Sequence, residues 1–145
     1  MRIHELTTEE CTEVLSRVNL GRLACARSDQ PYVVPIHFSF DAERQCLYSF
    51  ATLGQKVRWM RENPKVCLEI EEIVDKDQWT TVVVIGRYEE IQSAPHEAEA
   101  RRRAEHLFQQ RPEWWFPAAA KVSSTEHAEI VIYRIKIGRM TGRRT

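Results

Sequence analysis

The sequence lacks the signatures of several common protein classes. Lysine plus arginine and aspartate plus glutamate each number 21, so the formal net charge is zero and bulk electrostatics do not favour a nucleic acid or an acidic membrane as a partner. No window approaches the roughly 18 consecutive apolar residues of a membrane span, and the amino terminus has no apolar segment of signal-peptide type. We therefore expect a cytoplasmic protein with no nucleic-acid or membrane partner.

Cysteine and glycine occur, but not in the patterns of metal or dinucleotide sites. The four cysteines are Cys11, Cys25, Cys46 and Cys67. They form no C-x-x-C pair, so we predict buried thiols and no metal site. The five glycines are isolated and make no G-x-G-x-x-G, which argues against a Rossmann nucleotide site. A Ser/His/Asp nucleophile has no local signature either, so the catalytic residues remain unknown at this stage.

Hydrophobic periodicity and turn residues predict a chain rich in strands. Thr7 and Glu10 form a capping-box signature at the start of a first helix, and Pro64 ends a second helix at Asn63. The predicted helices cover 8–17, 54–62 and 95–110. The predicted strands cover 21–27, 32–40, 45–51, 65–70, 79–91 and 128–137.

The predicted elements favour one fold class. The links between the first three strands are short and polar, which is typical of an antiparallel meander. Six strands interrupted by helices favour a closed or nearly closed antiparallel barrel over an alternating α/β sheet. A chain of 145 residues suffices for one compact domain. We therefore predict a mainly β protein, a six-stranded antiparallel barrel with flanking helices, as a single domain over 1–145.

The segment SFATLGQKVRWMRENPKVCLEI, from Ser49 to Ile70, concentrates positive charge where a strand turns into a helix. The first turn of a helix presents unpaired backbone N–H groups and the positive end of the helix dipole, which attract anions. Lys56 adds a full charge there, and the Thr52 hydroxyl could donate to the same anion. The alternative is a solvated basic face made by Lys56, Arg58, Arg61 and Lys65, and the pattern alone does not decide between the two.

Four segments carry a family resemblance: GRLACARSDQPYVVPIHFSFD, LYSFATLGQKVRWMRENPKVCLEI, WTTVVVIGRYEEI and YRIKIGRMTGR. The second is the most specific, because a strand is followed by x-x-L-G-x-K and then by N-P-x-V. The chain resembles the pyridoxamine 5′-phosphate oxidase-like flavin-binding split-barrel proteins, and most closely the small members related to the nitroimidazole resistance proteins. The resemblance implies a six-stranded split barrel that forms a homodimer, with one FMN per subunit in a groove between the two chains.

The same resemblance implies how FMN is held. Lys56 would bind the phosphate, with Gln55 beside it, and the main chain of residues 35–38 would run along the isoalloxazine. Thr81 would approach from the fifth strand, and Trp115 is a candidate for covering the ring. By their aromatic character alone, Trp114 and Trp115 could cap the core or seal a dimer, and we expect them at an interface. The implied cofactor-binding set is Pro35, Ile36, His37, Phe38, Ser49, Phe50, Thr52, Gln55, Lys56, Thr81 and Trp115.

Two functions of different class follow from the resemblance. The first is an FMN-dependent oxidoreductase that passes electrons from a reduced nicotinamide to a small organic acceptor. The second is a binding protein for flavin, deazaflavin or haem, used for storage or redox sensing. The oxidase's substrate-binding arginine and histidine have no counterpart in the closing GRMTGRRT, so pyridoxamine phosphate is not the predicted substrate. His37 could relay a proton or bind haem iron, or it could be an ordinary solvated histidine.

Overall fold

A computed structural model describes residues 1–110 and 129–145. The predictions for Trp114 and Trp115 fall outside these ranges. The strands are β1 (His4–Glu5), β2 (Leu20–Arg27), β3 (Gln30–His37), β4 (Ser39–Asp41), β5 (Cys46–Thr52), β6 (Lys65–Asp75), β7 (Gln78–Glu90) and β8 (Ile130–Arg144). The helices are α1 (Thr8–Arg17), α2 (Gln55–Glu62) and α3 (Ala98–Gln109), and a single 3₁₀ turn, Pro95–Glu97, precedes α3.

The six predicted strands correspond to the six long strands, because β1 has two residues and β4 three. Helix α1 has the predicted bounds, since its capping box forms: the Glu10 amide donates to the Thr7 hydroxyl at 3.1 Å, and the Thr7 amide donates to the Glu10 carboxylate at 3.0 Å. The predicted strand 32–40 is wrong as one element, because the backbone changes its pairing partner at Phe38. The last strand continues seven residues beyond its predicted end, to Arg144.

The strands form one antiparallel sheet in the order β3-β2-β6-β7-β8-β5-β4, with β1 paired to β8. Its two edge strands, β3 and β4, are consecutive in sequence and are joined only through Phe38. A sheet whose two edges are connected by one residue must curl until they approach each other. The mainly β split-barrel class predicted from the sequence is therefore confirmed.

The bulge between β7 and β8 lies in the second half of β8. Ile85 of β7 pairs with Arg139 of β8. The next pair joins Gly86 to Ile137, so Gly138 is left without a partner across the ladder. An extra residue of this kind shifts the register by one position, which exchanges the two faces of the strand that follows.

The bulge explains why the buried face of β8 changes along the strand. Before the bulge, Tyr133 and Ile135 are 0% and 1% exposed and point into the barrel, whereas Lys136 is exposed on the outer face; after it, Gly142 is buried and Arg143 is exposed. Gly86 is also required here, because a Cβ at this position would lie 2.5 Å from the main-chain oxygen of Lys136. The two strands therefore approach each other more closely at the bulge than any side chain at position 86 would permit.

Two apolar clusters lie on opposite sides of the sheet. The larger cluster fills the barrel, where Leu15 of α1 and Val57 and Met60 of α2 join the inward residues of the strands. The smaller lies outside the barrel, where α3 covers β5 and β8. The predicted buried thiols are confirmed for three cysteines, while Cys67 is half-buried. Helices α1 and α2 therefore belong to the barrel core, and α3 forms a separate outer layer.

Helix α3 is fixed to the barrel by a buried carboxylate. Asp41, at the end of β4, is 2% exposed and accepts two hydrogen bonds from Arg103, one of them at 2.9 Å. Burial alone would raise the pKa of Asp41, but the Arg103 guanidinium and the Arg44 amide outweigh it and hold that pKa below its ordinary value.

Within the described ranges, no helix is long and apolar enough to span a membrane.

Candidate functional site

The first turn of α2 lacks every usual stabilising partner. Its N-cap is Gly54, which makes no side-chain hydrogen bond to the helix, and no acidic residue lies in the first turn. The first N–H groups of a helix have no partner within the helix, so these amides are open to a ligand. In α1 the same groups are served by the Thr7 and Glu10 capping box. The contrast identifies the start of α2 as a potential anion site.

Lys56 lies in this first turn and is half-buried. Desolvation by its surroundings lowers the pKa of the Lys56 ammonium, and the nearby Cys25 thiol of β2 opposes that shift. Among residues 1–110 and 129–145, no carboxylate lies within ion-pair distance of Lys56. A partly desolvated charge without a counterion is unfavourable, so an anion bound here would stabilise it.

The other cations of the segment have different environments. Arg61 donates two hydrogen bonds to Glu90 on β7. Arg58 is exposed, as a solvated face requires, and Lys65 begins β6. The solvated-face alternative therefore describes the exposed Arg58 and Lys65 but not Lys56.

The carboxyl end of β3 provides an exposed surface. Pro35 and His37 are exposed, whereas Ile36 and Phe38 are 6% and 0% exposed, so successive side chains alternate between the outer face and the barrel interior. The Ser49 hydroxyl donates to the main-chain carbonyl of His37 at 2.6 Å. This hydrogen bond ties the end of β3 to the middle of β5 and fixes where the exposed face of β3 ends.

The buried side chains of β5 point either into the barrel or towards the outer apolar cluster under α3. Ser49 is 3% exposed, so its hydroxyl serves His37 inside the barrel rather than a ligand outside. Phe50 lies on the opposite face, where its ring packs against Phe108 of α3 at 5.3 Å between centroids. A ligand at this strand would therefore meet its main chain and the exposed Thr52 at its end.

Tyr133 is a notable neighbour of Ser49 that the sequence reasoning missed. The two residues are directly opposite on β5 and β8. The Tyr133 hydroxyl is fully buried and has no hydrogen-bond partner within the described residues. Burial raises the pKa of Tyr133 to about 12, and the proximity of Ser49 opposes this rise. Only the cross-strand register reveals the pair, so no local signal could have found it.

The predicted site residues do not all converge within one chain. Thr52, Gln55 and Lys56 surround the start of α2, with Thr52 and Gln55 exposed. Thr81 lies on β7, which is three strands from β3 in the sheet. At about 4.8 Å per strand, this separates Thr81 from the β3 surface by roughly 14 Å. Nothing groups three or more potential metal ligands among the residues the structure describes.

Comparison with known proteins identifies the family to which this chain belongs. The pyridoxamine 5′-phosphate oxidase family matches residues 7–144. An uncharacterised protein of Rhizobium meliloti (strain 1021) is 39% identical over 146 residues, which cover 99% of this chain and 95% of that protein. The chain therefore belongs to the pyridoxamine 5′-phosphate oxidase family.

Solved structures agree with this assignment. A crystal structure of an FAD-binding protein from Mesorhizobium loti superposes with a TM-score of 0.82 at 36% identity, covering 100% of this chain and 99% of that one. A structure from Bacteroides thetaiotaomicron, whose name refers to 5-nitroimidazole antibiotic resistance, has a TM-score of 0.68 at 14% identity and covers 99% of this chain and 89% of its own. The second likeness supports the fold alone.

We expect Ser49→Ala to destabilise the protein and Tyr133→Phe not to. Ser49→Ala leaves the His37 carbonyl without its donor, at a cost of about 1–2 kcal/mol. Tyr133→Phe removes a buried hydroxyl that has no hydrogen-bond partner among residues 1–110 and 129–145, so stability should stay equal or increase. Urea unfolding of both variants measures the difference. A Tyr133→Phe variant that loses as much stability as Ser49→Ala would contradict the hydrogen-bond assignment.

Proposed function

We propose that the protein binds a flavin nucleotide through its phosphate at the start of α2. The observation that carries this proposal is the half-buried Lys56 ammonium, which has no carboxylate partner in the described chain and lies in a first turn without a cap or an acidic residue. Backbone amides and an ammonium are the donors that suit a phosphate dianion. Thr52 and Gln55, both exposed, can add neutral donors. The donor set therefore fits the anionic end of a flavin.

The exposed end of β3 is the proposed support for the flavin ring. Pro35 and His37 are exposed there, and β3 is an edge strand, so main-chain groups that face away from β2 can bond a polar ring edge. The Ser49 hydrogen bond to the His37 carbonyl holds this edge in place. A bound flavin would supply two-electron redox chemistry. The chain's own contribution is to orient the ring and to exclude water from one face.

The predicted cofactor is FMN, and FAD is the competing identity. FMN follows from the family resemblance of the sequence, whereas the 36% identical Mesorhizobium loti protein is named as FAD-binding. Both carry a phosphate at the end of the ribityl chain of the flavin, so the site at Lys56 suits either. Mass spectrometry of the ligand released from the purified protein distinguishes them.

We propose electron transfer from a reduced nicotinamide to a small organic acceptor as the activity, in the cytoplasm. The purified protein should be yellow, and its flavin absorption should bleach with NADH or NADPH under anaerobic conditions and return when a nitro compound or a quinone is added. Stable flavin binding without bleaching would contradict the proposed electron-transfer activity and favour the storage or sensing alternative. A colourless protein that takes up no added flavin would contradict both.

We expect Lys56→Ala to weaken flavin binding by about 2 kcal/mol, or ~30-fold, because a charge-assisted contact to the phosphate is lost. Arg58→Ala is the matched control, since it removes a cation two residues away on the same helix that is exposed to solvent. Fluorescence titration of FMN and FAD into the apoprotein measures both affinities. The stability of the apoprotein should not fall in Lys56→Ala, because the ammonium is desolvated without a counterion. Equal affinity in both variants would refute the phosphate assignment.

A second copy of this chain is the proposed partner. Thr81 belongs to the predicted cofactor set but lies three strands from β3, so a partner subunit is one means of bringing it to the ring. The outer face of the sheet also carries large apolar side chains, Leu20, Val33 and Ile73, that are 47–64% exposed. Apolar exposure of this kind on one face favours an interface.

Sedimentation equilibrium of the flavin-loaded protein tests this assembly. We expect a dimer at micromolar concentration, and Val33→Lys should dissociate it and release flavin together. A monomer that keeps its flavin would contradict a cofactor groove shared by two chains.

A further inference from the structure

A groove on the outer surface of the barrel is separate from the apolar core and from the flavin site proposed at the start of α2. Its volume is about 640 Å³, which lies within the usual range of small-molecule sites. Ten residues line the groove, among them Arg44, Lys65, Arg87, Lys136 and Glu89. Four of these ten residues are cationic and one is anionic.

Three of the cations form one row across the sheet. Lys65 of β6 is directly opposite Arg87 of β7, and Arg87 is directly opposite Lys136 of β8. Residues directly opposite in antiparallel strands point to the same face with Cβ atoms about 5 Å apart. All three side chains are exposed. Like charges in this arrangement repel one another, so the row is unfavourable for the free sheet.

The carboxylates nearby do not relieve the repulsion. Glu89 lines the groove, but its carboxylate accepts a hydrogen bond from Arg134 at 2.9 Å. Arg44, the fourth cation of the groove, donates to Glu99 of α3. Within the described ranges, no carboxylate lies within ion-pair distance of Lys65, Arg87 or Lys136. The row is thus a set of three positive charges that lack an anion.

The floor beside the row is apolar, because two glycines and two isoleucines form it. Gly86 and Gly138 come from the bulge between β7 and β8, and Ile85 and Ile137 flank them. Gly86 cannot be replaced without displacing the Lys136 main chain, so the backbone is held close at this point. An apolar groove lining with a few placed charges is typical of sites for ligands with an apolar or aromatic part.

We propose that this groove binds an organic diphosphate, with adjacent phosphates on the Lys65, Arg87 and Lys136 row and the organic part over the bulge. A terminal diphosphate ester carries about three negative charges near neutral pH, which matches the three cations. The row spans two strand spacings, or about 10 Å, so it suits spread charge better than a single anion. Ammonium and guanidinium groups give strong hydrogen bonds to phosphate oxygens.

The groove is separate from the flavin site proposed at the start of α2. Lys136 is paired with Cys46 at the beginning of β5, whereas α2 starts after the end of that strand at Thr52. Six residues of extended chain separate these ends by roughly 20 Å. The proposal therefore does not depend on flavin binding, and the Lys56 variant can be used to separate the two sites.

Calorimetric titration with ADP, pyrophosphate and AMP tests the proposal. ADP and pyrophosphate should bind the wild-type protein, and AMP should bind at least about tenfold more weakly, because it lacks the second phosphate. Arg87→Gln and Lys136→Gln should each weaken ADP binding about tenfold or more. Raising the salt concentration should weaken it as well. Arg102→Gln is the matched control, since it neutralises an exposed arginine of α3 outside the groove.

Melting temperatures of the same variants exclude a purely structural role. Without ADP, Arg87→Gln and Lys136→Gln should melt no lower than wild type, because each relieves like-charge repulsion. With ADP, the wild type and Lys56→Ala should be stabilised, and the two groove variants should not. Three outcomes would overturn the proposal. The wild-type protein could fail to bind ADP at millimolar concentration, or ADP binding could be lost in Lys56→Ala but kept in Arg87→Gln. The third outcome is a lower melting temperature of the groove variants in the absence of ADP. Dissociation of a dimer by Arg87→Gln would also overturn it, since the row would then serve a second copy of the chain.

Discussion

The connection of the two sheet edges at Phe38 is the constraint on which the rest of the structure depends. One fully buried residue joins β3 to β4, and the Ser49 hydroxyl holds the last carbonyl of β3 against β5. A curled sheet has an interior, and α1 and α2 can then contribute to the same core as the strands. The same hydrogen bond brings the end of β3 against Ser49, three residues before β5 ends at Thr52 and the chain continues into α2. The fold therefore creates the candidate site by closing the barrel.

Local sequence signals predicted the elements whose boundaries are decided locally. The Thr7 and Glu10 capping box fixed α1, and the Asn63-Pro64 pair fixed the end of α2. The two wrong strand predictions concern positions where pairing between distant strands sets the boundary. The alternation of apolar residues continues through Phe38, so periodicity could not reveal that β3 and β4 have different partners. The end of β8 was missed because its bulge interrupts the alternation that identifies a strand.

The two proposed sites differ in how far the sequence could predict them. Lys56 was singled out because a strand, a glycine and a helix start follow one another within a few residues. The row of Lys65, Arg87 and Lys136 joins positions more than 20 residues apart, and only the strand register brings them together. Tyr133 is comparable, since its position opposite Ser49 depends on the same register. Features that depend on register between distant strands carry no local signal.

Gly138 has a further consequence for how this chain can change during evolution. Because the residue without a partner exchanges the faces of β8, deleting it would turn Tyr133 and Ile135 towards solvent and bring Lys136 into the barrel. A loss or gain of one residue between the bulge and Ile130 would invert the strand in the same way. Length variation in this strand is therefore restricted to pairs of residues, so alignments of related chains should contain no odd-length gap between positions 130 and 138.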